Sequence, residues 1–299
     1  MFVSSTNNKE DDVIPVDNSI CYLNDDIIDI ILRFIPHDIS TYLKFGAVSK
    51  QFYALTKSEE LWFNFLRNKY PFLPITDNYR FLCVELQKFL RGKKDKYQEA
   101  RNSIKITLVV LGSTGVGKSS LTFRFIEDIM VENYDPTIVD CFQKQMTILQ
   151  DKKIMTQVLD LSDYQCEHCR SEEKAYFRSL RTSSAFIAVC SLTDKESLEE
   201  LNDYIDNICW QKDLDSGEIP IMMVASKKDL VNERIVTEDE LKAFGEKYNI
   251  PYRETSALSG ENVSDVFTTV AEMAYIQEAF NAIMRSTNEP PKKQKCIIN

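Results

Sequence analysis

The stretch Ile106-Thr107-Leu108-Val109-Val110-Leu111-Gly112-Ser113-Thr114-Gly115-Val116-Gly117-Lys118-Ser119 decides the fold class. Its first six residues form an apolar run bounded by a glycine, the pattern of a strand buried on both faces. Its last eight match G-x-x-x-x-G-K-[ST], a loop whose glycines let successive backbone N–H groups turn inward around a phosphate. The lysine reaches the outer phosphate oxygens and the serine hydroxyl ligates Mg²⁺. Ser119 to Glu127 reads as the following helix, which presents its positive dipole end to the same anion. Strand, loop and helix in this order predict a nucleotide binder.

Beyond residue 103 the apolar spacing alternates between strand and helix, which predicts an α/β domain with a mainly parallel sheet and crossover helices. Cys141 to Leu149 and Ile154 to Leu159 flank the turn Gln150-Asp151-Lys152-Lys153 and predict a hairpin, while Ala185 to Cys190 and Ile219 to Ala225 predict buried strands. Thr193-x-x-Glu196 and Thr237-x-x-Glu240 read as capping boxes that open helices. Val263, Val266, Phe267, Val270, Ala271 and Ala274 give the last helix a stripe for packing.

The 299 residues, 43% hydrophobic and 27% charged, allow two modest globular domains. A net charge of −10 argues against nucleic acid as the main partner. The charge is uneven: residues 61–103 are net basic between two acidic parts, which reads as a solvated connector. Eight cysteines at irregular spacing and the polar start Met1 to Asp12 set the expectation of reduced thiols in the cytosol. No apolar stretch is long enough to span a bilayer, and two histidines disfavour a hydrolase triad.

Residues 1–18 are expected to be disordered. From 19 to 70 the spacing predicts a small all-α domain, with Ile27, Ile28, Ile31, Leu32 and Ile35 on one helix that Pro36 stops, and Ser58 capping a helix that carries Leu61, Trp62, Phe65 and Leu66. Residues 71–103 read as a helical connector, through Phe81, Leu82, Leu86, Phe89 and Leu90, followed by the basic linker Arg91-Gly92-Lys93-Lys94-Asp95-Lys96. The α/β domain takes 104–283, and 284–299 is a flexible basic tail.

Four further segments follow the phosphate loop: Tyr134-Asp135-Pro136-Thr137-Ile138, Asp160 ending a strand, Ser226-Lys227-Lys228-Asp229 ending another, and Glu254-Thr255-Ser256-Ala257. With the loop, this ordered set resembles the Ras-like small GTPases over roughly residues 104–281. The resemblance implies a Ras-like P-loop G domain on a six-stranded sheet, GTP and GDP as ligands, Mg²⁺ as cofactor, and GTP hydrolysis. It places Gly112, Thr114, Gly115, Val116, Gly117, Lys118, Ser119 and Ser120 around the phosphates, with Met130, Tyr134 and Pro136 against the nucleotide. Ser119 and Thr137 become Mg²⁺ ligands, and Asp160 holds a metal-bound water. Asp229 pairs with the N1–H and N2–H₂ donors of guanine, Lys227 packs along the base, and Ser226, Ser256 and Ala257 complete the pocket. Tyr134, Asp135, Pro136, Thr137, Ile138, Val139 and Asp140 correspond to the effector loop, with Val139 where Ras itself carries an acid. An effector and an exchange factor are implied without being identified.

Catalysis in the family would fall to Lys118, Thr137 and a glutamine whose position is held here by Tyr164. Thr114 stands where the family usually has glycine and crowds the space a catalytic side chain or arginine finger needs. Asp163 replaces the glycine whose N–H grips the γ-phosphate. Two unit charges 4 Å apart repel by about 4 kcal/mol at the effective dielectric of a protein surface. Slow hydrolysis is therefore expected. The same departures leave open a catalytically inactive module that targets or recruits for the rest of the chain. Cys166, His168 and Cys169 in the same segment read as exposed loop residues, with zinc or redox chemistry as the alternative.

Leu23-Asn24-Asp25-Asp26-Ile27-Ile28 through Ile35-Pro36, then Val48-Ser49-Lys50-Gln51-Phe52 to Leu61-Trp62, resemble an F-box. That family implies a helical motif docking a Skp-type adaptor of a cullin–RING ubiquitin ligase, here through Leu23, Ile27, Ile28, Ile35 and Pro36; Asn24 replaces the usual proline. A generic helical bundle is the plainer reading of the same spacing. The ending Cys296-Ile297-Ile298-Asn299 behind Lys292, Lys293 and Lys295 has the C-a-a-X form, so Cys296 is expected to carry a prenyl group on the cytoplasmic face of a membrane.

Overall fold

The computed structural model describes residues 59–73, 78–92, 96–129, 139–149, 151–162 and 173–287. The chain divides into units 1–53 and 54–299, and every described residue belongs to the second. Residues 23–58, including every expected F-box contact, lie outside the described residues, as does Cys296.

In chain order the described elements are α1 (Glu59–Lys69), α2 (Tyr79–Leu90), α3 (Gln98–Ser103), β1 (Ile106–Leu111), α4 (Lys118–Glu127), β2 (Val139–Ile148), β3 (Lys152–Leu161), α5 (Glu173–Thr182), β4 (Ala185–Ser191), α6 (Lys195–Lys212), β5 (Ile221–Ser226), α7 (Glu238–Tyr248), β6 (Tyr252–Glu254) and α8 (Val263–Thr287). The sheet has six strands in the order β2-β3-β1-β4-β5-β6, parallel throughout except for the β2–β3 hairpin. This is the expected α/β architecture.

β4 and β5 are buried at every position because helices cover both faces of the sheet. Alternate residues divide between the two layers. Val109, Leu111, Phe186 and Ala188 join Leu201, Tyr204 and Ile205 of α6 and Leu241 and Phe244 of α7 in one cluster. On the opposite face α8 lies over β1, β4 and β5, and Phe267 stacks on Phe125 of α4 at 4.1 Å between ring centroids. All six residues expected in the α8 stripe are buried.

The helices before β1 extend this second layer. α2 packs on α8, Phe89 meets Tyr275 at 6.2 Å, and Trp62 and Phe89 are fully buried. The Arg101 guanidinium, 8% exposed with its residue, donates to the Phe89 carbonyl at 3.3 Å. Glu85, also buried, accepts from the Tyr97 hydroxyl and pairs with Lys88 and Lys96. Residues 78–92 and 96–103, read as a connector, are thus layered onto the α/β domain; Lys93, Lys94 and Asp95 lie outside the described residues.

Local signals were confirmed and corrected in detail. The Thr237–Glu240 capping box is formed. The Thr193 box is not: Asp194 caps α6, its carboxylate accepting from the Glu196 and Ser197 N–H groups, while the Thr193 hydroxyl bonds Ser191 instead. A carboxylate adjacent to the threonine is the better acceptor for two helix-end donors. The hairpin strands run further than expected, to Val139 and Leu161, because cross-strand bonding continues past the apolar run, and Lys152 and Lys153, read as turn, are strand residues paired with Ile148 and Thr147.

Candidate nucleotide-binding site

β1 ends at Leu111 and the chain turns at once into the loop, with positive φ at Gly112 (138°), Gly115 (79°) and Gly117 (97°). A Cβ on Gly112 would stand 2.1 Å from the Val189 carbonyl oxygen of β4, so only glycine lets the loop pass over the neighbouring strand. Gly117 is the N-cap of α4 and offers no side-chain acceptor, leaving that end's backbone donors to the loop. Lys118, 8% exposed, folds back so that Nζ donates to the Gly112 carbonyl at 2.7 Å and the Ser113 carbonyl at 2.8 Å. Its ammonium is held inside the loop by these bonds. Thr114 is exposed at the loop's apex, and Ser119 and Ser120 stand at the start of α4.

Asp160 lies beside Val110 in the β1–β3 register, 1% exposed. Neither carboxylate oxygen has a hydrogen bond of ordinary geometry, although Ser119 is near enough to favour the ionised form. Burial pushes this carboxyl up to about 6 and Asp140 opposite it adds to the rise, against the opposing pull of Ser119 and Lys118. A buried carboxylate with no partner is costly unless a cation or donor completes it. Mg²⁺ with its bound water, held by Ser119 and Asp160, fits that requirement; the metal would neutralise phosphate charge.

The residues expected to bind the base gather at the carboxyl ends of β5 and β6. Ser226 ends β5 and its hydroxyl reaches the carbonyls of Val116, in the phosphate loop, and Cys190, at 3.0 Å. Serine therefore still ties the two loops together where the family's usual residue is asparagine. Lys227 takes a left-handed φ of 62°, which turns the chain sharply before Asp229. The Asp229 carboxylate accepts from the Ser256 hydroxyl at 2.6 Å, so one oxygen is fixed and the group is aimed. Ala257 follows, half-buried. This geometry suits a base that presents two adjacent donors.

Of the expected residues, Gly112, Thr114, Gly115, Val116, Gly117, Lys118, Ser119, Ser120, Asp160, Ser226, Lys227, Asp229, Ser256 and Ala257 sit on these adjoining loops and strand ends. Met130, Tyr134, Asp135, Pro136, Thr137 and Ile138 lie outside the described residues, as do Asp163, Tyr164, Cys166, His168 and Cys169. Val139 and Asp140 begin β2. One contact escaped the sequence reading: the Ser113 hydroxyl, in the loop, donates to Glu200 of α6. No local signal links two residues so far apart in the chain.

A strand feeding a phosphate loop, a buried carboxylate on the adjacent strand and an aimed aspartate two strands away define a P-loop nucleotide-binding domain. The family model described as "Ras family" matches residues 107–276. The chain is 35% identical over 193 residues to "Ras-like protein RAS2" of Hydra vulgaris, covering 64% of this chain and 94% of that one. It is likewise 35% identical over 188 residues to "Ras-like protein rasB" of Dictyostelium discoideum, covering 63% and 87%. With "Ras-like protein rasU" of the same organism it shares 33% identity over 178 residues, covering 59% and 78%. The chain belongs to the Ras family of GTP-binding proteins.

Proposed function

We propose that the chain is a slow guanine-nucleotide switch whose GTP state governs a helical N-terminal segment acting as an F-box, with a prenylated tail holding it on a cytoplasmic membrane face. The observation that carries the switch is the buried, unpartnered Asp160 carboxylate beside Lys118 and Ser119, which a Mg²⁺–nucleotide complex would complete. Support for slow hydrolysis is the exposed Thr114 at the loop apex together with Asp163 and Tyr164 in place of the family's glycine and glutamine. The F-box reading rests on the spacing from Leu23 to Trp62, and the anchor on Cys296 behind three lysines. One lipid chain binds a membrane only marginally, and the lysines would add about 1 kcal/mol each near anionic lipid.

Nucleotide content of the purified protein and single-turnover hydrolysis of added GTP test the core of this reading. The triple change Thr114→Gly, Asp163→Gly and Tyr164→Gln is expected to speed hydrolysis by about tenfold or more, which is about 1.4 kcal/mol of barrier. Bound guanine nucleotide with no turnover in either protein would favour a frozen module that only recruits. Retention of a Skp-type adaptor by the full chain, lost on Leu23→Ala with Ile35→Ala, tests the F-box. Equal membrane fractions for wild type and Cys296→Ser would overturn the anchor.

A further inference from the structure

Three glycines with positive φ let the phosphate loop turn, and the same freedom lets an empty loop leave that shape. Two contacts from outside the loop hold it. At one end Ser226 of β5 donates to the Val116 carbonyl. At the other Ser113, 6% exposed, donates its hydroxyl to the Glu200 carboxylate of α6, 87 residues further along the chain. The Ser113 carbonyl meanwhile accepts from Lys118 Nζ at 2.8 Å. One residue is thus held from both sides, its side chain by α6 and its backbone by the lysine that reaches phosphate oxygens.

Glu200 stands on a fixed support. Asp194 caps α6, and the Ser197 hydroxyl donates to the Asp194 carbonyl at 2.6 Å while accepting from the Ser191 N–H of β4 at 2.9 Å. Helix and strand are therefore bound together in the turn before Glu200. Lys195 pairs with Glu240 of α7 at 2.6 Å, and Leu198 and Leu201, flanking Glu200 in sequence, are buried in the core that α6 shares with the sheet. A side chain on a supported helix holds its target more firmly than one on a second loop. By charge alone a carboxylate touching a phosphate loop would repel the ligand. What it offers there is its acceptor, since a hydrogen bond to a carboxylate is about twice as strong as a neutral one. Glu200 belongs to none of the five segments that mark the family in this sequence.

We propose that Glu200 is a positioning residue for the phosphate loop: by accepting from Ser113 it holds the loop in its nucleotide-retaining shape and slows release of GDP, given the guanine-nucleotide switch already proposed. Release opens the loop, so a contact made only in the closed loop acts on the off-rate. The full chain, loaded with Mg²⁺ and GDP bearing a fluorescent N-methylanthraniloyl label, is chased with excess unlabelled GDP. Ser113→Ala, which removes only a hydroxyl, and Glu200→Ala are each expected to speed release by about tenfold, the scale of a lost hydrogen bond to a charged group. The double variant is expected to release no faster than the faster single one, because both lose the same bond. Glu200→Gln keeps a carbonyl acceptor and is expected to recover most of the slow release. Preference for GDP over ADP is expected to stay as in wild type throughout, because Asp229 and Ser256 are untouched. The proposal is overturned if the single variants release GDP as wild type does, if the two accelerations multiply in the double variant, if Glu200→Gln releases as fast as Glu200→Ala, or if the variants lose their preference for GDP, the mark of a loosened fold. A wild-type chain that retains no labelled GDP would refute the switch and this role together, an outcome distinct from variants that match a wild type which does retain it.

Discussion

Gly112→Ala and Gly115→Ala make a matched pair because both glycines have positive φ but different surroundings. At Gly115 a Cβ meets nothing within 4 Å, so alanine there carries only the left-handed backbone cost of about 1–2 kcal/mol. Stiffening of the unfolded chain offsets about 0.4–1 kcal/mol of that. At Gly112 φ is 138°, and the new Cβ would stand 2.1 Å from the Val189 oxygen, in a strand whose residues are fully buried around it. An ordinary contact needs more than an ångström of extra room. Opening it moves either the loop or the sheet's central strand. Backbone strain of about 3 kcal/mol plus overpacking of about 1–3 kcal/mol, less the same offset, leaves about 3–5 kcal/mol. Urea denaturation of the nucleotide-free proteins, read by circular dichroism, measures the difference directly. The Gly115 variant is expected within about 1 kcal/mol of wild type and the Gly112 variant at least about 2 kcal/mol below it. Equal losses for the pair would refute the claim that β4, and not backbone conformation alone, dictates glycine at the head of the loop.

Three further outcomes are expected. Asp160→Asn removes a carboxyl whose folded pKa of about 6 exceeds its unfolded value, so stability is full below pH 4 and falls as pH rises through 6 in wild type only. In EDTA at pH 7 the variant gains up to about 3 kcal/mol while Mg²⁺-dependent nucleotide affinity drops; parallel pH profiles would contradict this. Glu85 behaves oppositely: although burial alone would raise its carboxyl, Lys88, Tyr97 and Lys96 hold it at about 2, so its stabilisation is full above pH 4.5 and lost as pH falls through 2. Because both lysines are more than half exposed, Glu85→Gln is expected to cost about 1–2 kcal/mol at pH 7 and to flatten acid unfolding, with an unchanged acid limb as the contrary result. Asp229→Ala is expected to abolish discrimination between GDP and ADP without unfolding the chain, and retained preference for GDP would mean the base is read elsewhere.

The α/β fold was legible because its signals are local and redundant. The apolar run before Gly112 forms β1, the runs ending at Ile148 and starting at Lys152 pair as an antiparallel hairpin, and Thr237 with Glu240 opens α7, each within a few residues of its cause. Where two local acceptors competed, at Thr193 and Asp194, sequence pattern named the wrong one, because charge and not motif decides which side chain wins the helix-end donors. The packing of α2 on α8 was not legible at all. Leu82, Leu86 and Phe89 announce an apolar face without naming what covers it, and the partner, α8, begins far along the chain.

The same distinction runs through the site. Phosphate and base chemistry recur with fixed residue types, so Lys118, Asp160 and Asp229 were expected, through the family resemblance, to share a site, and they are found on adjoining loops and strand ends. Contacts made by side chains from separate elements leave no such trace. Ser113 could donate to many acceptors, and only the placement of α6 beside the loop selects Glu200. The basic stretch before β1 reads as solvated surface because lysine and arginine usually are, and nothing near Arg101 in sequence says that its guanidinium is buried against Phe89. Burial turns a common surface charge into one that folding must answer, and here the Phe89 carbonyl and the Gln98 side chain accept from it. The layer that α3 and α8 form together is therefore visible only after folding, even though each of its residues stands in plain view in the chain.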